Sequence, residues 1–131
     1  MGKSFLHENE ISGEIIQCAI EVHRTLGGPG LLESVYEEAL VWELEQAGFD
    51  VKQQLQVPIP YKGQLLATPL RLNLLVENKV IVECKAVSDY NEIFSVQLLT
   101  YLRLMSLKLG LVINFGERYV KDGVRRVVNG L

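Results

Sequence analysis

RLNLLVENKVIVECKA, residues Arg71 to Ala86, decides how this chain is to be read. It divides into two apolar runs around Glu77-Asn78-Lys79, the pattern of two short strands joined by a tight turn. Successive strand residues point to opposite faces, so Glu83 and Lys85 project together while Cys84 points away. Ionised side chains are almost never fully buried without partners, and packing gives no reason for a Glu-x-Lys pair on an apolar strand. A carboxylate beside an ammonium on a rigid scaffold is the least apparatus that holds a metal ion and an activated water.

Register decides what joins that pair. A two-residue loop at Asn78-Lys79 pairs Leu74 with Glu83 and sends Asn73 to the opposite face. A three-residue loop at Glu77-Asn78-Lys79, with Asn78 or Lys79 left-handed, pairs Val76 with Val80 and Asn73 with Glu83. Asn tolerates that conformation better than most residues. One residue of slip moves every side chain to the other face. The three-residue loop is the expectation. It gathers Arg71, Asn73, Glu83 and Lys85 on one face and leaves Leu72, Leu74, Val76, Val80, Val82 and Cys84 as an apolar set on the other.

Upstream, Ile11, Ile15, Cys18, Ala19, Val22 and Leu26 follow helical spacing and predict a helix over residues 10–26. Ser12 or Asn9 caps its start, and Gly27-Gly28-Pro29-Gly30 stops it. A second helix is expected over 32–47, with Gly48 as its C-cap. Strand-like residues 51–57, a Pro58/Pro60 interruption and a turn at Lys62-Gly63 lead to the pair at 70–76 and 80–87. A third helix over 91–107, capped by Ser88, Asp89 or Asn91, precedes strands at 111–115 and 124–128. The order predicts an α/β fold, a mixed central sheet flanked by helices, because both faces of the central strands are apolar.

At 131 residues, with 48% hydrophobic and 22% charged residues, the chain reads as one domain over 1–131 with a single real core. No apolar run approaches the roughly 18 residues of a membrane span, so no membrane partner is expected. MGKSFLHENE lacks the apolar stretch of a secretory signal. Cys18 and Cys84 lie in apolar periodic segments and read as buried free thiols in a reducing cytoplasm. The net charge of −3 argues against a strong nucleic-acid binder. Its distribution is uneven: residues 1–50 carry ten Asp/Glu against two Lys/Arg, and residues 101–131 carry six Lys/Arg against two Asp/Glu. Arg103, Lys108, Arg118, Lys121, Arg125 and Arg126 form either a local basic surface or an ordinary solvated one.

Three more positions bear on chemistry. Glu33 stands in the first turn of the second helix, where the helix dipole favours an acid in any case. Tyr36 shares its face, setting a phenol beside a carboxylate. Gln97 and Tyr101, four apart on the third helix, also share a face; a satisfied buried amide and core packing are their plainer explanations. His7 and His23 have no partner at ligand spacing and read as structural or surface residues.

GLLESVY at 30–36 fits a Gly-x-x-Glu-x-x-Tyr signature. With EVHRTLG, ENKVIVECKAV, QLLTYLR and LVINFG, the chain resembles the GxxExxY proteins over nearly its whole length. That family is similar to the PD-(D/E)xK nuclease-like superfamily, so the resemblance implies a restriction-endonuclease-like core. The superfamily pattern is a helix acid, a strand Asp, a Glu-x-Lys strand and often Gln-x-x-x-Tyr. Glu33 matches the helix acid, Glu83 and Lys85 the Glu-x-Lys, and Gln97 and Tyr101 the helix pair. Asn73 stands where the pattern has Asp. The resemblance further implies Mg²⁺ or Mn²⁺ held by Glu33, Asn73 and Glu83. It implies nucleic acid, DNA in the first instance, as substrate, with Glu83, Lys85, Gln97 and Tyr101 in catalytic roles.

A neutral amide weakens such a site. Two unit charges about 4 Å apart interact by roughly 4 kcal/mol at an effective dielectric of 20. After partial compensation the loss is about a hundredfold or more in metal affinity. Three readings therefore compete: a slow nuclease, a non-catalytic module binding nucleic acid or protein, and a metal-free network in which Lys85 pairs Glu83 and Glu33. Assembly into a homo-oligomer stays open.

Overall fold

Two helices open the chain in the computed structural model, which describes residues 2–131. Helix α1 (Glu8–Thr25) starts two residues earlier than its apolar spacing predicts, because His7 and not Ser12 or Asn9 caps it. The His7 ring accepts the Asn9 N–H and the Glu10 carboxylate accepts the His7 N–H, a reciprocal capping box. Helix α2 (Glu33–Gln46) ends at Gly48, whose φ of 90° lets the Phe49 N–H reach back to the Leu44 carbonyl. Strands β1 (Val51–Val57), β2 (Pro60–Tyr61), β3 (Gln64–Leu65), β4 (Leu70–Val76) and β5 (Val80–Lys85) follow. Helix α3 (Ile93–Met105), β6 (Leu109–Asn114), a 3-10 turn (Val120–Gly123) and β7 (Val124–Val128) complete the order.

The main sheet runs β1-β4-β5-β6-β7, with only β5 and β6 parallel; β2 and β3 form a separate small hairpin. Helices α1 and α2 cover one face, where Ile15, Tyr36, Leu40, Val82 and Ile113 belong to one buried cluster. Helix α3 covers the other, where Leu98 and Leu102 pack with Ile81 and Val112. This is the mixed sheet flanked by helices that the order of elements and the apolar central strands predict.

The hairpin has the three-residue loop. Val76 pairs with Val80 and Leu74 with Val82, and Glu77 and Asn78 both take left-handed φ, 55° and 56°. Glu77 tolerates this because it is fastened on two sides: its N–H donates to the Asp50 carbonyl and its carboxylate accepts the Asp50 N–H.

One expected face assignment is wrong. Leu72 lies with Leu75 and Ile81 on the α3 side, not with Leu74 on the α1/α2 side. The cause sits in the neighbouring strand, where Gln54 has a φ of 51°. Val51 packs on the α1/α2 side but Leu55 and Val57 on the α3 side, so alternation breaks at Gln54 and at Asn73 opposite it. Both strands change faces together, and the pairing of β1 with β4 stays in register across the break.

Candidate functional site

Beyond Leu74 and Val82 the β4–β5 ladder stops, and side chains take over the missing backbone bonds. The Asn73 N–H donates to a Glu83 carboxylate oxygen at 2.7 Å. The Asn73 side-chain oxygen accepts the Cys84 N–H at 2.8 Å. Asn73 therefore serves as a clamp across the splayed strands, and the oxygen expected to face a cation is committed to the backbone. The gap it spans is where Glu83 sits, 7% exposed.

Burial pushes the Glu83 carboxyl up from 4.5 to about 7, against the Asn73 N–H and the Lys85 charge, which pull it down; Glu33 and Glu37 add to the rise. Glu33 stands exposed at the start of α2, yet enough protein surrounds its carboxyl to raise it, with Lys85 opposing and Glu37 reinforcing. Tyr101 on α3 is half-buried; its phenol is raised by burial and by the Glu83 charge. Residues of α2, β5 and α3 thus act on one another through a single region. Gln97, by contrast, is exposed, one turn before Tyr101, and no hydrogen bond joins it to the carboxylates among the described residues. A buried, satisfied amide is not what it is.

Lys85 makes no ion pair among the described residues. Its ammonium rests over the Phe94 ring, 4.5 Å from the centroid. The metal-free network of Lys85 with Glu83 and Glu33 is therefore not formed.

Tyr36 does not stand beside Glu33 as a second polar group of the site. It is fully buried, stacked on Phe115 at 4.7 Å, and its O–H donates to the Gly28 carbonyl while accepting the Leu31 N–H. The phenol fixes the turn that launches α2, and so fixes Glu33. Gly30, with φ 115°, supplies the backbone conformation that turn requires. His23 is structural as well, its Nε2 hydrogen-bonded to the Phe115 carbonyl at 3.2 Å.

Two residues escaped the sequence reading. Glu37, 5% exposed on α2, accepts hydrogen bonds from the side chains of both Gln53 and Gln54. Adjacent strand residues normally point apart; the left-handed backbone of Gln54 brings both amides to one carboxylate. Its i,i+4 spacing from Glu33 was the available signal. Asn114, fully buried at the end of β6, holds the Val87 N–H, the Val87 carbonyl and the Gly116 N–H. A lone amide in the apolar run LVINF announces it.

A hard divalent cation takes oxygen donors and often binds one or two carboxylates, with water and substrate phosphate completing its shell. Glu33 and Glu83 offer that chemistry, and the crowding of carboxylates gives a cation charge to relieve. Among the described residues no group of three or more His, Cys, Asp or Glu is placed to hold a metal, so the donor set is a sparse one.

Comparisons with known proteins bear on the fold and the family. The chain is similar to the crystal structure of SSO0001, with a TM-score of 0.55 and 16% identity, a likeness of fold alone. The match covers 93% of this chain and 60% of that one. No curated protein matches significantly. Among the described residues no helix is long and apolar enough to cross a membrane. A model of the PD-(D/E)XK nuclease superfamily matches residues 9–127, which is most of the sequence, and the chain belongs to that superfamily.

Proposed function

We propose that the chain is a slow, metal-dependent phosphodiesterase acting on nucleic acid, DNA in the first instance, and works as one nuclease-like domain. What supports it is that buried Glu83, clamped by the Asn73 N–H, feels the charges of Glu33 on α2 and Lys85 on β5 and itself acts on Tyr101 of α3. Glu33 and Glu83 would hold Mg²⁺ or Mn²⁺; when bound, the cation polarises the phosphate and acidifies a water. Lys85, resting on an aromatic face and not neutralised by a carboxylate, keeps its positive charge available to a phosphate oxygen. The raised Tyr101 phenol stays protonated at neutral pH and donates its O–H. The exposed Gln97 amide, on the same helix face, orients the substrate backbone. The cytoplasm suits the two free thiols, of which Cys18 is pushed up by burial to about 11 and is correspondingly unreactive.

A second reading, a binding module without catalysis, is favoured by one observation: Asn73 ties its amide to Cys84 and its N–H to Glu83, leaving the site knit to itself. Incubating the purified protein with plasmid and single-stranded DNA in Mn²⁺ decides the matter. Cleavage by wild type and none by Glu83→Ala is the expected result; cleavage that persists in the variant comes from a contaminant and removes the proposal.

A further inference from the structure

A cleft of about 400 Å³ opens between the end of α1 and the connection from β6 to β7, lined among others by His23, Gly28, Arg118, Tyr119 and Lys121. Its size falls in the usual range for ligand pockets. One wall is fixed, because His23 is bonded to the Phe115 carbonyl. Arg24 on the rim is occupied, its guanidinium bonded to both Glu21 carboxylate oxygens at 2.8 Å. Arg118 and Lys121 are exposed and form no ion pair among the described residues. The Tyr119 ring is 54% exposed and carries the Arg118 guanidinium 5.3 Å from its centroid. An exposed aromatic face beside unpaired cations is the combination by which proteins hold single-stranded nucleic acid, the ring taking a base and the cations the backbone.

The position of the cleft also fits. The Phe115 N–H donates to the Lys85 carbonyl at 2.7 Å, so the loop carrying Arg118 and Tyr119 leaves the sheet beside the end of β5. That is the carboxyl end of the parallel pair, the edge at which open α/β sheets bind ligands. On the opposite wall, Gly28 precedes Glu33 by five residues, a reach of about 18 Å at most. The turn lining the cleft is the one that Tyr36 pins to set the start of α2.

We propose that this cleft is a subsite for an unpaired nucleotide of the strand on which the site acts, its base stacked on Tyr119 and its phosphates held by Arg118 and Lys121. The proposal rests on the nuclease reading for the identity of the polymer but does not need cleavage. A base inside a duplex cannot reach such a ring without being extruded, so the subsite selects single strands or frayed ends.

Fluorescence anisotropy on the full chain without divalent metal tests this, with a labelled dT12, the matching U12 and a blunt 12-base-pair duplex as probes. Either single strand is expected to bind at least about tenfold more tightly than the duplex. Tyr119→Ala is expected to weaken dT12 by about tenfold, the range of one base–aromatic stack, while Tyr119→Phe retains affinity. Arg118→Ala lowers the salt dependence by about 0.7 per decade, one phosphate contact. Undiminished dT12 binding by Tyr119→Ala, or equal binding of duplex and single strand, overturns the subsite. Loss of dT12 affinity in Glu83→Ala also overturns it, by placing the oligonucleotide at the carboxylates instead. Tyr119-dependent binding without any cleavage in Mn²⁺ leaves the subsite standing and removes the nuclease.

Discussion

Glu83 is a buried carboxyl kept where its charge is unwelcome, and this has a measurable cost. Its folded value of about 7 exceeds the ordinary 4.5, so the native state binds more protons than the unfolded chain between those limits. Its contribution to stability is complete below about pH 4.5 and is lost as pH rises through 7. The difference amounts to about 3 kcal/mol at roughly 1.4 kcal/mol per pH unit. Urea unfolding is expected to show wild type weakening between pH 5.5 and 8.5. Glu83→Gln is expected to lie nearly flat and to be the more stable protein at pH 8.5; parallel profiles contradict the assignment. Asn73→Asp probes the neighbouring position. One oxygen of an aspartate can still accept the Cys84 N–H, leaving the other for a cation, so calorimetry is expected to show Mn²⁺ binding at least about tenfold tighter. No gain in affinity shows that Asn73 is not what limits the site, and the binding module then needs another cause.

At the scale of elements, the start of α2 and the β4–β5 hairpin place the site, and each was legible to a different depth. Tyr36→Phe leaves the Gly28 carbonyl and the Leu31 N–H without their partner, at a cost of about 1–3 kcal/mol. It is also expected to reduce cleavage, because Glu33 is aimed by that turn; thermal unfolding beside a plasmid assay separates the two effects. The spacing Gly30, Glu33, Tyr36 was visible in the sequence, but the work of the phenol was not. Tyr36 turns back to the loop because its ring is stacked on Phe115, far along the sequence in a part of the chain no local pattern connects to it. The register at Glu77-Asn78-Lys79 was expected because it gathers polar residues on one face and leaves an apolar set on the other, and the Val76–Val80 pairing bears it out. The face of Leu72 did not, since the kink that moves it lies in β1 at Gln54, within KQQLQ, where no Gly or Pro marks an irregular backbone. Glu37 was passed over for a related reason: its partners Gln53 and Gln54 converge only through that kink.

Across the whole molecule, the sheet separates two buried clusters but not two clusters of charge. The acidic helices α1 and α2 lie on one side. The six basic residues near the C-terminus do not gather into one surface: Arg126 bonds Asn9, Arg125 lies over the Tyr90 ring, and Arg118 and Lys121 flank the cleft. The cation binding proposed for the carboxylates must appear in the stability of the entire fold. At tenfold excess over its dissociation constant, Mn²⁺ at pH 8 is expected to add about 1.4 kcal/mol, a rise of roughly 3–6 °C in Tm. Scanning calorimetry of Glu83→Gln is expected to show no such rise, and an equal rise in both proteins rules out Glu83 as a ligand.

The bend at Gln54 reaches further than the candidate site, because β1 is an outer strand of the sheet. A straight outer strand offers its unpaired amides as a template on which identical chains can stack. Here the backbone turns midway and its side chains change faces, so an incoming strand follows it only by changing faces at the same place, as β4 does. The same twist that delivers two glutamines to a single acid thus makes that border a poorer template for an ordinary straight strand.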